Sequence, residues 1–530
     1  MVLTGKALDW AITLCSGAGF LLFGYDQGVM SGLLTGTAFT KVFPEIDTQR
    51  GGSSSLQGTV VAIYEIGCFF GAIFTFVFGE RLGRRKCIML GCTVLTIGAV
   101  IQCSSYGIAQ LIVGRIVAGL GNGLNTSTIR KRFSAMFSNL DTDTCAAVWH
   151  AELMQAHDRG KGLAIEFILN IFGVALAYWV DYAFSFVNNE SQFRFPIAFQ
   201  ILFAIVCLGM IVFLPESPRW LLNHGHDEKA RHVLWRLQRD AKEIGEDSEP
   251  VNNEIAIIRH TLYEEKEIAG GTTFTALLKD GPQRFRYRTL LGIGGQFMQQ
   301  LSGINLITYY AAVIFETSIG MSHNTALLVA GANGIAYFLS TFPVVWVLDR
   351  LGRRKLMLFA VIGQSCCMAI LAGTVSDGSK SAGIVAAIML FLFNFFFAIG
   401  LLAIPWLLPA EYAPLAIRTK AASLSTASNW IFTFLVVEIV PVSINSIGWK
   451  TYIYFAVFNA FFVPLIYFFY PETKNLSLEE IDRLFTGDKV IMHLPESMRL
   501  SADTAAISGN MGADKDGVAV LEDIKLKEQA

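Results

Sequence analysis

Charge is what this chain is short of. Only 16% of its 530 residues are Asp, Glu, Lys or Arg, where ordinary globular domains carry about 25%. With 53% hydrophobic and 12% aromatic residues, too little polar surface remains for several soluble domains, and one bundle of membrane spans is favoured. The formal net charge is −2, so nothing argues for a nucleic-acid partner. The cysteines sit almost all inside apolar runs (Cys15, Cys68, Cys92, Cys207, Cys366 and Cys367 among them). None pair up in a polar loop, which argues against a disulfide framework. A removable signal peptide is not expected, because the first apolar run is too long and lacks a small-residue cleavage site. No Ser-His-Asp set, metal-ligand spacing or phosphate loop falls in a polar stretch, so neither an enzyme nor a cofactor or metal is expected.

What is present is a repeat. Gly79-Glu80-Arg81-Leu82-Gly83-Arg84-Arg85-Lys86 returns as Asp349-Arg350-Leu351-Gly352-Arg353-Arg354-Lys355. Each copy is an acid, a Gly turn and a basic cluster between two long apolar runs. The Gly permits a tight turn, and the basic cluster cannot be drawn into lipid, so the loop stays cytoplasmic. Two halves with the same device point to a duplicated membrane protein.

Runs long enough to span lie near 11–34, 56–79, 88–106, 108–128, 161–184 and 196–214, and again near 290–315, 324–348, 356–374, 383–409, 420–441 and 450–470. The expected fold is therefore an all-α membrane protein of twelve spans in two halves. It divides into a short N-terminus (1–10), a first half (11–214), a linker (215–289), a second half (290–470) and a C-terminal segment (471–530). Basic residues crowd the loops after spans 2, 4, 6, 8 and 10, while the opposite loops carry few: Lys41, Arg50, Arg194 and Lys380. The positive-inside rule puts both termini in the cytoplasm. In the linker, 227–239 and 253–265 show helical spacing (Val233, Leu234, Leu237; Ile255, Ile258, Leu262) and read as short amphipathic helices. A third is expected after the last span, with Ser477 as N-cap and Leu478, Ile481, Leu484 and Phe485 on one face. From about Thr486 the composition predicts disorder. Asn189-Glu190-Ser191 is a glycosylation sequon in a loop predicted extracellular, though an unused tripeptide reads equally well.

Taken in order, the motifs resemble the sugar porter family of the major facilitator superfamily over roughly residues 10–485. They are Gly24-Tyr25-Asp26, the two repeats, Gly114-Arg115, Glu152 with Arg159, Pro215-Glu216-Ser217-Pro218-Arg219-Trp220, Gln299-Gln300-Leu301-Ser302-Gly303-Ile304-Asn305, Pro405-Trp406, Glu411 with Arg418, and Pro471-Glu472-Thr473-Lys474. The detailed text resembles the fungal branch that takes up hexoses, pentoses and polyols. The resemblance implies transport of a monosaccharide or polyol by alternating access in the plasma membrane. It also implies a cytoplasmic ion-pair latch between the halves in the outward-open state. The latch residues would be Glu80, Arg84, Arg85, Glu152, Arg159, Glu216, Asp349, Arg353, Arg354, Glu411, Arg418 and Glu472. A passive facilitator and a non-transporting nutrient sensor are the alternatives; the absence of a long signalling tail speaks against the sensor.

A sugar needs amides for its hydroxyls and an aromatic platform for its apolar face. Gln299, Gln300 and Asn305 in span 7, Trp406 in span 10 and Asn429 in span 11 answer that description. Amides in hydrocarbon are costly unless satisfied, and a polar cavity is their expected setting, since helix-to-helix hydrogen bonds would serve one of the three in span 7 but poorly all three. Three matched positions depart from well-known family members: Phe167 after Glu166, Tyr337 with Asn333 one turn earlier, and Ala398. Asp26, a carboxylate inside span 1, is by default functional. Counted along its helix it lies about 20 Å from the cytoplasmic side, the depth of Arg115 in span 4, so the two can meet. Protonating Asp26 would release Arg115 and couple transport to a proton. Glu65 in span 2 lies at similar depth and reads either as a second coupling carboxylate or as a structural hydrogen bond.

One stretch breaks the pattern. Arg130 to Ala147 is polar, aperiodic and without a counterpart in the second half. It reads as an unspliced intron in the gene model, or else as a genuine loop insertion that would push Glu152 away from the end of span 4.

Overall fold

In hydrocarbon no water satisfies backbone N–H and C=O groups, so long apolar segments close their hydrogen bonds internally as helices. The computed structural model describes residues 3–127, 153, 159–238, 241, 243–269, 277–414, 416–474, 476, 478–486 and 490–493, and among them every regular element is helical. The first half comprises α1 (Lys6–Leu33), a short α2 (Thr37–Val42), α3 (Ser54–Leu82), α4 (Arg84–Cys103), α5 (Ile108–Ser127), α6 (Arg159–Ser185) and α7 (Ser191–Ile211). Three helices follow outside the bundle: α8 (Pro218–Asn223), α9 (Asp227–Leu237) and α10 (Glu249–Ala269). The second half runs α11 (Phe285–Leu301), α12 (Ile304–Val313), α13 (His323–Thr341), α14 (Val344–Leu351), α15 (Arg353–Asp377), α16 (Lys380–Gly400), α17 (Ile404–Tyr412), α18 (Arg418–Ile447) and α19 (Lys450–Phe469). A final α20 (Leu478–Phe485) lies beyond it.

Nine spans among the described residues are by themselves long and apolar enough to cross a bilayer. The other three expected spans correspond to α5 and to two interrupted pairs, α11 with α12 and α13 with α14. Span 10 is also broken, between α16 and α17. The sequence reading missed these interruptions. Each falls at a residue that cannot continue a helix cleanly: Gly303 at φ 102° before α12, Pro343 before α14 and Pro405 at the start of α17. The linker helices differ in extent from expectation: α10 begins earlier and ends later, and α8 had no periodicity to announce it. Ser477, Arg130–Ala147 and the tail from 494 onward lie outside the described residues.

Within the first half α1 packs on α6, and α5 on both α3 and α4; in the second, α15 packs on α16 and α19, and α11 on α17 and α18. The halves meet where α3 lies on α18, α6 on α13 and α1 on α12. Exposed Phe74, Phe78, Ile97, Leu202, Phe461 and Phe468 form an outward apolar belt, as a lipid-facing surface requires.

Candidate functional site

The two copies of the repeat end a helix and start the next in the same way. Gly83 at φ 85° and Gly352 at φ 89° make the turns. An added Cβ at either would sit 2.6 Å from a carboxylate oxygen, of Glu216 in the first half and Glu472 in the second. Those carboxylates cap the helix starts behind the turns. Glu216 accepts from the backbone N–H groups of Arg84 at 3.0 Å and Arg85 at 3.2 Å; Glu472 accepts from Arg353 at 2.9 Å and Arg354 at 3.2 Å. The first-turn N–H groups of a helix lack intrahelical partners and carry partial positive charge, so a carboxylate there is stabilising. Burial pushes the Glu216 carboxyl up from its ordinary value, against these N–H bonds and the Arg84 charge, which pull it down.

In this state the caps and the ion pair seen at the basic end stay within each half. Glu216 and Glu472 reach into their own half, and Arg353 pairs with Glu411 of its own half at 3.0 Å. Arg418 donates to the Ala413 carbonyl at 2.7 Å. Among the described residues no ion pair joins the two halves at this basic end. Glu152 and the side chains of Glu80, Arg159 and Asp349 lie outside the described residues.

At the opposite end the halves are tied together. Tyr309 of α12 donates to the buried Glu65 of α3. Tyr178 of α6 donates to the Thr308 carbonyl at 2.6 Å, and Ser31 of α1 accepts from Ala312 N–H at 3.2 Å. Thr59 of α3 donates to Glu438 of α18 at 2.8 Å. The structure is thus closed at the end away from the basic loops. Tyr178, Tyr309, Ser31 and Glu438 had escaped the sequence reading. Two of them are tyrosines in apolar runs, where a hydroxyl needs a partner; the partner is supplied by the other half.

Asp26 and Arg115 lie side by side, Nη1 to Oδ1 3.7 Å, both fully buried. Arg115 also donates to the Val61 carbonyl at 2.9 Å and stands over the Tyr64 ring at 4.7 Å. Elsewhere on α1, Ser16 donates to Glu166 of α6, while the adjacent Phe167 is half-buried with its ring edge-on to Phe20.

The amides of the second half form one network. Gln299 donates to the Leu401 and Leu402 carbonyls at 2.7 and 2.9 Å, which the break between α16 and α17 frees from helical bonding. Its oxygen accepts from Gln300 at 3.2 Å and from Asn429 at 3.0 Å. Asn305 donates to Gln300. Among the described residues, only Gln299 of the three span 7 amides bonds to other helices, while Gln300 and Asn305 bond within the span. Gln296, which the sequence reading missed, accepts from Asn429 at 2.7 Å and donates to the Pro405 carbonyl at 3.0 Å. Its position one turn before Gln299 was the available signal. Trp406 is half-buried beside this network in sequence. Asn333 belongs to a second group, accepting from Asn394 of α16 at 3.2 Å, with Tyr337 edge-on to Phe397. Asn189 is exposed in the turn before α7, its side chain accepting from Ser191 N–H at 2.8 Å.

A family model described as "Sugar (and other) transporter" matches residues 10–132 and 141–485, leaving 133–140 unmatched inside the suspect stretch. An MFS-type transporter of Aspergillus oryzae, oryC, is 38% identical over 92% of this chain and 88% of its own length. The sugar transporter STL1 of Saccharomyces cerevisiae is 37% identical, covering 93% of this chain and 85% of its own. Among solved structures, the proton:xylose symporter XylE bound to 6-bromo-6-deoxy-D-glucose superposes with TM-score 0.71 at 25% identity, over 91% of this chain and all of that one. A partially occluded inward-open XylE from E. coli gives TM-score 0.72 at 24% identity, over 89% of this chain and 99% of that one.

Proposed function

Because the chain belongs to the sugar transporter family of the major facilitator superfamily, we propose that it carries a monosaccharide or polyol across the plasma membrane by alternating access, together with a proton. The observation that carries the coupling is the buried Asp26–Arg115 pair at 3.7 Å. A carboxylate and a guanidinium in the membrane interior stabilise one another; protonating Asp26 removes one partner and leaves Arg115 to the Val61 carbonyl and the Tyr64 ring. Asp26 sits on α1, the helix whose Ser31 binds Ala312 of the other half, so a proton there can bias which end is open. Glu65 ties α3 to α12 and is the second carboxylate on this path.

The substrate would meet the amide network. Gln299, Gln300, Asn305 and Asn429 offer a preformed set of donors and acceptors, and sugar hydroxyls can exchange with the bonds these amides make to each other. Trp406 supplies an apolar face, and Asn333, Tyr337 and Phe167 line the approach. Fewer polar partners at positions 167, 337 and 398 suit a pentose or polyol. With both termini cytoplasmic, the basic end faces the cytoplasm and the present state is inward-facing. In the opposite state the latch residues of the two repeats, with Glu152, Arg159, Glu411 and Arg418, would pair across the halves.

Uptake of labelled hexoses, pentoses and polyols, at acidic and neutral pH and with a protonophore, tests this. Accumulation against a gradient that the protonophore abolishes is the expected result. Accumulation-free equilibration that ignores both pH and protonophore would make the protein a passive facilitator.

A further inference from the structure

A cavity of about 810 Å³ lies where the first half meets α8 and α9. Arg85 and Lys86 from the start of α4 and Lys229 and Arg236 from α9 line it, together with His226 and His232. Two acids also face it, but Glu216 already accepts the backbone N–H groups of Arg84 and Arg85, leaving Glu228 as the remaining anion. Lys86 and Lys229 are exposed, and neither forms an ion pair among the described residues. Burial pulls the Arg236 guanidinium below its ordinary pKa, a cost that an anion beside it would offset.

The lining also includes apolar Met89, Phe213, Leu214 and Val233. Phe213, which lines the cavity, is 78% exposed, and Val212 beside it in sequence and Leu90 after Met89 are exposed to a lesser degree, so the cavity adjoins outward-facing apolar residues. The second half shows what fills the equivalent place. There Arg354 donates to the Tyr467 carbonyl at 2.5 Å and meets His493 at 2.7 Å, while Met492 accepts from Glu472 N–H at 3.0 Å. Residues following α20 thus cover the second copy of the basic turn. In the first half Arg85 makes the matching bond, to the Val212 carbonyl at 2.6 Å, and Arg85 itself lines the open cavity.

We propose that this cavity binds the phosphate headgroup of an anionic lipid of the cytoplasmic leaflet, with the acyl chains against Phe213 and Met89. The leaflet assignment rests on the orientation proposed above; the headgroup chemistry does not. A free phosphate would use the basic side chains alone, whereas a lipid uses the apolar ones as well.

The test uses the purified full-length chain in neutral detergent, with thermal stability followed as lipid is added. Phosphatidylserine and phosphatidylinositol 4-phosphate are expected to raise the melting temperature, and phosphatidylcholine to leave it unchanged. Because each lysine near an anionic headgroup adds attraction, Lys86→Gln with Lys229→Gln should weaken the apparent affinity roughly tenfold or more. Lys279→Gln, outside the cavity, should keep it. Glycerophosphoserine, the soluble headgroup, should give no shift at the same concentration. An equal shift from it would mean a free phosphate site and would overturn the lipid assignment. A wild-type response in the double variant would overturn the site itself. Should the orientation prove reversed, the response in detergent would still stand and only the leaflet would change.

Discussion

Tyr309 of the second half donates its hydroxyl hydrogen to the Glu65 carboxylate of the first, with both residues wholly buried. Removing the donor leaves a buried carboxyl oxygen without its partner, at a cost of about 1–3 kcal/mol. Because the bond joins the halves at the end that is closed, its strength acts on the equilibrium between the two access states.

Tyr309→Phe should therefore lower the population of the present state roughly tenfold or more. Glu65→Gln, which keeps an oxygen acceptor for the Tyr309 hydroxyl, should do less. A cysteine introduced at Thr35, in a background without exposed thiols, should react faster with an impermeant maleimide in Tyr309→Phe than in the parent. Equal rates would remove the gate role from this pair.

Asp26→Asn should leave the fold intact and abolish proton-driven accumulation, while exchange of substrate across the membrane continues. Arg115→Ala should behave differently. Breaking a buried pair by removing one partner costs about 3–5 kcal/mol, because the other charge is left uncompensated. The melting temperature in detergent should fall clearly for Arg115→Ala, and combining it with Asp26→Asn should recover part of the loss. If the double variant melts below Arg115→Ala alone, the two residues do not act as a pair.

Gly352→Ala places a methyl against the Glu472 carboxylate and forces a side chain into a positive-φ conformation. The backbone term alone costs about 1–2 kcal/mol, and displacing Glu472 uncaps α15. Stability should drop and transport with it, whereas Gly107→Ala, where nothing lies within 4 Å, should melt close to the parent. Parent-like stability of Gly352→Ala would show that the Glu472 cap is dispensable.

Asn429→Ala removes the donor shared by Gln296 and Gln299. Two neutral hydrogen bonds contribute about 1–3 kcal/mol together, so the melting temperature should fall, and because the substrate is proposed to meet this network the KM should rise roughly tenfold as well. A fall in kcat alone, with KM unchanged, would place the network away from the substrate.

The sequon at Asn189 reports orientation. Expressed in a secretory host, the protein should shift in gel mobility on treatment with an N-glycosidase, and Asn189→Gln should abolish the shift. Glycosylation of a sequon engineered at Lys279 instead would put the basic end outside the cell.

How legible the site was depended on whether a residue acts with its own helix or with a distant one. Asp26 and Arg115 could be matched because depth in a bilayer is a count along each helix, at about 1.5 Å per residue. The caps of Glu216 and Glu472 could not, since their motif text is the same whether the carboxylate meets a neighbouring backbone or an arginine of the other half. Gln296 was passed over because a single amide in an apolar run is common, and only the break at Leu401–Ala403 supplies the carbonyls that make the cluster worth its burial.

Twelve spans, two related halves and the charge asymmetry of the loops follow from the sequence alone, because hydrophobic length and basic clusters act on each segment independently. The pairing of Glu65 with Tyr309, the closed end and the open cavity beside Arg85 were decided only by tertiary structure. Hydrogen-bond partners 244 residues apart are chosen by how helices dock, and membrane insertion, which sorts segments by polarity, leaves that choice open.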